Sequence, residues 1–199
     1  YHCFMNFLEP ILLIHVLTRL GLTQNFIQDQ YAILSGYVVS MLVTPTFFCT
    51  IIYRLYLPIA TDDLYYHRNN TFLHLLYALF ICFLIGLPFT LIFYFFPKQS
   101  LLILYNTTSG YHQLKYMSFP FLLFYLQTPL STILQAKNKN KVMFIISIIE
   151  CTLEIILTYT LSRYLYVNVI LISLFTGLIT TLTLSAIYCF KIIKDTSAQ

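Results

Sequence analysis

The chain has 199 residues, of which 59% are hydrophobic and only 9% charged, with 18 Phe and 17 Tyr, and its mean hydropathy is +0.78. Soluble domains carry about 25% charged residues, so this composition excludes a water-exposed surface over most of the molecule and fits a bilayer as solvent. The net charge of +4, from 11 Lys/Arg against 7 Asp/Glu, is slight and dispersed. No basic stripe interleaved with aromatics points to nucleic acid.

A helix crosses the hydrocarbon core in about 20 residues. Apolar stretches near that length predict an all-α, polytopic membrane bundle with spans at about residues 4–20, 31–53, 72–96, 114–136, 142–163 and 167–190. Strands are not expected, because an open strand leaves backbone groups unpaired in lipid. Between the spans lie GLTQNFIQDQ, the polar stretch TDDLYYHRNN, the segment from Pro97 to Gln113, KNKNK, and a tight turn at Tyr166. Ser100 to Tyr105 reads as a short interfacial helix. The chain opens at Tyr1 on an apolar run already under way, which predicts a piece of a longer protein.

The first span carries Glu9 directly before Pro10. Proline removes a backbone donor and crowds the preceding turn, so a kink or break is expected at the acid. Glu9 then reads either as part of a transport pathway or as a wet residue near the span's end. In the second span Gly36, Ser40 and Thr44 repeat small residues every fourth position, as close helix packing requires. Asp62, Asp63 and His67 read as a solvated turn, and His74 as an isolated packing or hydrogen-bonding residue.

The fourth span holds Gln127, Ser131 and Gln135 at spacings of four, with Pro129 interrupting the backbone ladder. Such amides can hold sugar hydroxyls or join helices. In the fifth span Glu150 and Glu154 are neighbours on one helix face, and Ser147, Cys151, Thr158 and Ser162 extend the stripe. A carboxylate at the bilayer centre costs about 2.5–3.5 kcal/mol on insertion scales, so the stripe is expected to face either a hydrated lumen or other helices. Two ionised glutamates at that spacing repel, which favours protonation of one or pairing with a base. The sixth span repeats Ser173, Gly177, Thr181 and Ser185, again a packing pattern.

The five cysteines, Cys3, Cys49, Cys82, Cys151 and Cys189, share no CxxC or His-paired spacing and read as buried free thiols. No HExxH or carboxylate cluster predicts a metal, and neither a cofactor nor a catalytic group is expected. For orientation, Arg54, Arg68, Lys137, Lys139, Lys141, Lys191 and Lys194 fall on one side, and Arg19, Lys98, Lys115 and Arg163 on the other. Lys and Arg are retained in cytoplasmic loops, so a multi-pass protein of the cell membrane with both ends cytoplasmic is predicted.

Three stretches together carry a family resemblance: FLEPILL, the run QYAILSGYVVSMLVTPTFFCTIIYRLYLPIATD, and LILYNTTSGYHQLKYMSFPFLLFYLQTPLSTILQA. In order and spacing they resemble the stage V sporulation protein B group of polysaccharide exporters, within the multidrug, oligosaccharidyl-lipid and polysaccharide exporter superfamily. The resemblance implies two six-helix lobes, of which this chain is the carboxy-terminal one. It implies a flippase for lipid-linked polysaccharide or peptidoglycan precursors, working by alternating access, with membrane lipid, a lipid-linked glycan and an amino-terminal lobe as partners. Glu9 and Pro10 match the family's Glu-Pro in a helix that bends during gating. Gly36, Pro45 and Pro58 match its glycine and prolines, and Gln127, Pro129 and Gln135 its Gln-x-Pro and following glutamine. Relatives usually have Gly where Thr128 stands, and small or basic residues around Glu150 and Glu154, so the acidic pair departs from the pattern. Within the superfamily a cation- or proton-coupled multidrug antiporter is the first alternative, with Glu150 and Glu154 as the coupling site. A polytopic membrane enzyme is the second.

Overall fold

The computed structural model describes the backbone of residues 2–66 and 70–197 and the side chains of residues 10–66 and 70–194. Among the described residues every regular element is helical. Helix α1 covers His2–Arg19 and continues through Pro10 without a break. After a turn at Gly21, where φ is +90°, α2 (Gln24–Ala32) runs into a π-helical segment, Ile33–Val39, then α3 (Ser40–Val43) and α4 (Thr46–Tyr65). Helix α5 is Thr71–Phe95, α6 Pro97–Tyr105, α7 Tyr111–Ala136, α8 Asn140–Leu165 and α9 Val169–Ser197, with a 3-10 turn at Tyr166–Asn168 between the last two.

Among the described residues three segments are long and apolar enough to cross a membrane: Thr71–Phe95, Tyr111–Ala136 and Asn140–Lys194. The bent pair Gln24–Val43 and Thr46–Tyr65 makes a fourth if taken as one span. The segment Asn140–Lys194 has 55 residues, about 80 Å if straight, yet α8 and α9 pack against each other. It is therefore a helical hairpin with two limbs, each longer than a bilayer crossing needs. The expected spans at 72–96, 114–136, 142–163 and 167–190 coincide with α5, α7, α8 and α9. The expected span at 4–20 falls on α1, whose described apolar part is Pro10–Arg19. The expected interfacial helix is present and longer, starting at Pro97 in the N1 position.

Two expectations are corrected. The stretch expected as a loop from Gly21 to Gln30 is helical from Gln24, and TDDLYY is the last turns of α4. The polar residues there sit on an end of a longer helix, and hydropathy alone does not register such an extension. Of the kink or break expected at Pro10, no break interrupts α1, and a break with a bend of 42° stands at Thr44–Pro45. Pro45 has no N–H to give, and just before it Ser35, Ser40 and Thr44 turn their hydroxyls back onto the carbonyls of Tyr31 (2.8 Å), Ser35 (3.0 Å) and Ser40 (2.9 Å). Such back-bonding competes with the ladder and bends helices. The Ser40 bond spans five residues, as the π-helical turn dictates.

Packing places α9 between α7 and α8, with α1 on the outer side of α8 and α4 and α5 against α7. The core divides into two clusters. One, around Leu13, Leu34, Met41, Leu114 and Tyr125, gathers toward the end bearing the α8–α9 turn. The other, around Tyr56, Leu75, Ile133 and Ile192, gathers toward the KNKNK end. Outside, large apolar side chains stay uncovered, among them Phe80 at 60%, Leu84 at 57% and Ile103 at 82% exposure. A surface this apolar aggregates in water and matches hydrocarbon.

Candidate functional site

The polar groups singled out in the spans stand on different helices, Glu150 and Glu154 on α8 and Gln127 and Gln135 on α7. Glu150 and Glu154 lie in the seam between α8 and α9. Glu150 is buried, as are Cys151, Thr158 and Ser162 of the same stripe. Gly177 of α9 sits so close to the Glu154 carboxylate that a Cβ there would collide with it. In the antiparallel register this contact sets, Thr181 falls level with Glu150, and Ser173 with Thr158. The small residues of α9 make room for the acids of α8, so the two stripes read separately in the sequence are two sides of one polar seam. The hydroxyls of Thr158 and Thr181 are buried there without a hydrogen-bond partner among the described residues. Unspent hydroxyls in a buried seam are uncommon and carry a cost of about 1–3 kcal/mol each.

Gln127 and Gln135 lie on α7. The Gln135 side-chain oxygen accepts from the Tyr53 hydroxyl of α4, which ties two helices together. Pro129 is buried inside an unbroken α7, and the carbonyls near it are used by side chains: Ser131 (2.8 Å) and Thr132 (2.9 Å) both donate to the carbonyl of Thr128. Pro10 lies within α1. The Glu9 side chain lies outside the described residues, as do Cys3 and His67. Cys49, Cys82, Cys151 and Cys189 are buried free thiols.

Two polar arrangements escape the sequence reading. At the end of α4, Asp63 is 1% exposed and its carboxylate meets Nδ1 of His74 on α5 at 2.5 Å. Asp63 is buried rather than part of a solvated turn, and His74 takes the hydrogen-bonding role, one of the two expected of it, with a partner on another helix. Both elements turn toward each other across the α4–α5 connection, which brings residues eleven apart into contact. Among the described residues the buried Tyr56 hydroxyl, about two turns earlier on α4, has no hydrogen-bond partner. Beside it a groove of about 300 Å³ runs between α4 and α5, lined by Tyr56, His74, Tyr77 and aliphatic side chains. The second arrangement is at the bend. Tyr125 of α7, 1% exposed, donates its hydroxyl to the carbonyl of Leu42 at 2.7 Å, filling a backbone acceptor beside the break at Pro45. Gly86 of α5 makes the space, since a Cβ there would strike the Tyr125 ring.

The geometry thus offers a buried and a half-buried acid on α8, amides on α7 and a carboxylate–imidazole pair between α4 and α5 of a helical membrane bundle. A comparison with known sequences adds one finding. The match is to a sporulation protein. Stage V sporulation protein B of Bacillus subtilis (strain 168) is 26% identical over 133 residues, which cover 66% of this chain and 26% of that protein. The chain therefore spans about a quarter of that relative's length. No protein-family model matches the chain. No solved structure matches it.

Proposed function

We propose that this chain is one lobe of a membrane transporter, an exporter or flippase that moves lipid-linked polysaccharide or peptidoglycan precursors across the cell membrane. The observation that carries this reading is the similarity to stage V sporulation protein B across two thirds of the chain, on a bundle whose outer surface suits lipid. An amino-terminal lobe of the same protein supplies the other wall of the cavity, and the two lobes rock about it in alternating access. The bend at Thr44–Pro45, with its π-helical approach, is the element that supports a conformational role. No bond is broken in such a cycle, so the protein is not an enzyme in this reading. The KNKNK end and both termini face the cytoplasm, as the distribution of Lys and Arg favours.

The test is reconstitution of the chain with its amino-terminal lobe in vesicles carrying a fluorescent lipid-linked glycan. Movement between leaflets is followed by the fraction of label that an impermeant quencher destroys. Accelerated flipping that requires both lobes is expected, and no acceleration with both folded overturns the reading. A multidrug antiporter of the same superfamily is the second reading, favoured by the buried Glu150 beside Glu154. Export of organic cations driven by a proton or sodium gradient, without glycan flipping, decides for it.

A further inference from the structure

At the end of the bundle opposite KNKNK, α1 and α8 finish side by side. Arg19 is in the last turn of α1 and Arg163 in the last turn of α8. One turn earlier on each helix stand His15 and Tyr159, so two pairs at spacing i, i+4 face one another across the seam. These four side chains, with Val16 and Leu20, line a cleft of about 250 Å³.

The cleft holds two guanidinium groups, an imidazole and a phenol, and no acid among its lining residues. Among the described residues neither arginine has a carboxylate within ion-pair distance. The other cations at this end are placed differently: Lys98 lies over the Tyr111 ring at 4.5 Å and Lys115 over the Tyr94 ring at 5.1 Å. A cation in the last turn of a helix is favoured by the helix dipole, which accounts for each arginine singly. It does not account for two arginines from different helices sharing one cleft with a histidine. Like charges gathered without a counter-charge repel, and an anion entering the cleft removes that repulsion. Guanidinium groups present paired donors whose geometry fits phosphate. The level is also suitable, since helix ends in a bilayer lie near the headgroups, and the apolar outer faces of both helices continue below.

We propose that the cleft formed by His15, Arg19, Tyr159 and Arg163 binds the phosphate or diphosphate group of an amphipathic lipid at the membrane surface. The anion lies between the two arginines, the Tyr159 hydroxyl donates from one side, and the lipid chain runs down the α1–α8 surface. The cleft fits either an ordinary anionic phospholipid or the diphosphate of a lipid-linked glycan. Only the second of these rests on the transporter reading above.

The test is binding to the purified chain in a zwitterionic detergent without phosphate, with three probes: inorganic phosphate, a short-chain phosphatidylglycerol and a polyprenyl diphosphate. Arg19→Gln combined with Arg163→Gln is expected to weaken the lipid probes at least tenfold, while Arg163→Lys, which keeps the charge, weakens them less. Equal binding of both lipids assigns the site to headgroups in general. A preference for the diphosphate assigns it to the lipid-linked substrate. Unchanged affinity in the double glutamine variant, or binding of none of the three probes, overturns the proposal, provided that circular dichroism shows the helices intact. Binding that depends on both arginines in a protein that flips no glycan overturns the transporter reading and leaves the site standing.

Discussion

Tyr125 shows how much a single buried hydroxyl can do in this bundle. Its ring fills the space left by Gly86, and its O–H serves the Leu42 carbonyl at 2.7 Å. Tyr125→Phe keeps the ring and abandons the carbonyl in an apolar setting. A loss of about 1–2 kcal/mol in stability follows, because an orphaned buried acceptor costs its full desolvation. Thermal unfolding in detergent can be read through the buried thiols, which react with a maleimide dye only when Cys49, Cys82, Cys151 and Cys189 become exposed. A lowered midpoint is expected, and an unchanged one rules out the hydroxyl's role. Nothing in the spacing of tyrosines along the sequence distinguishes this one. Its importance comes from a carbonyl 83 residues away.

At the scale of helices, the α4–α5 connection is closed by the Asp63–His74 contact at 2.5 Å. Asp63 is 1% exposed and His74 is 36% exposed in its side chain, so removing the imidazole leaves a buried carboxylate without its counterpart. His74→Ala is expected to cost about 3 kcal/mol, and the combined change Asp63→Leu with His74→Phe considerably less, because replacing a buried pair by apolar groups removes the desolvation penalty along with the attraction. The same thiol-reactivity melt checks both. A single variant no worse than the double would sink the argument. Asp63 reads as part of a solvated turn in the sequence because it follows Asp62 in a polar run. The structure extends α4 to Tyr65 and swings that face inward.

The bend is the other feature of this scale. Proline is visible in any sequence, but whether it kinks its helix depends on what surrounds it. Pro10, Pro58, Pro88, Pro120 and Pro129 all lie inside continuous helices. Pro45 stands at the break; on the approach to it Ser35, Ser40 and Thr44 back-bond to carbonyls of their own helix, and the Leu42 carbonyl beside the break accepts from a tyrosine of another helix. A proline loosens a helix, and neighbouring groups that can take up the released backbone partners decide where it gives way.

In the whole molecule, α9 packs against both α7 and α8, so the acids of α8 and the amides of α7 stand on the two helices that flank it. The acids were legible as a stripe and so were the small residues of α9, but their pairing was not, since register between helices depends on shapes along both. Replacing both acids, Glu150→Gln and Glu154→Gln, tests their part in transport. On the proposed flippase reading, if the seam is structural, flipping by the chain together with the proposed amino-terminal lobe stays within about threefold of the unchanged protein and loses no dependence on a proton gradient. If the pair couples transport to protons, the gradient dependence disappears. Vesicle flipping measured with and without an imposed gradient separates the two outcomes.

The sequence by itself determined that this is a helical bundle for a membrane, and where its long helices lie. Composition and the length of apolar runs are local properties, and the bilayer imposes helix formation on any segment that crosses it. The tertiary structure alone decided at which proline the helix breaks, which buried polar groups meet, and that two arginines far apart in the chain share a cleft. Those depend on side chains from different helices arriving at the same height, and hydropathy carries no record of such contacts.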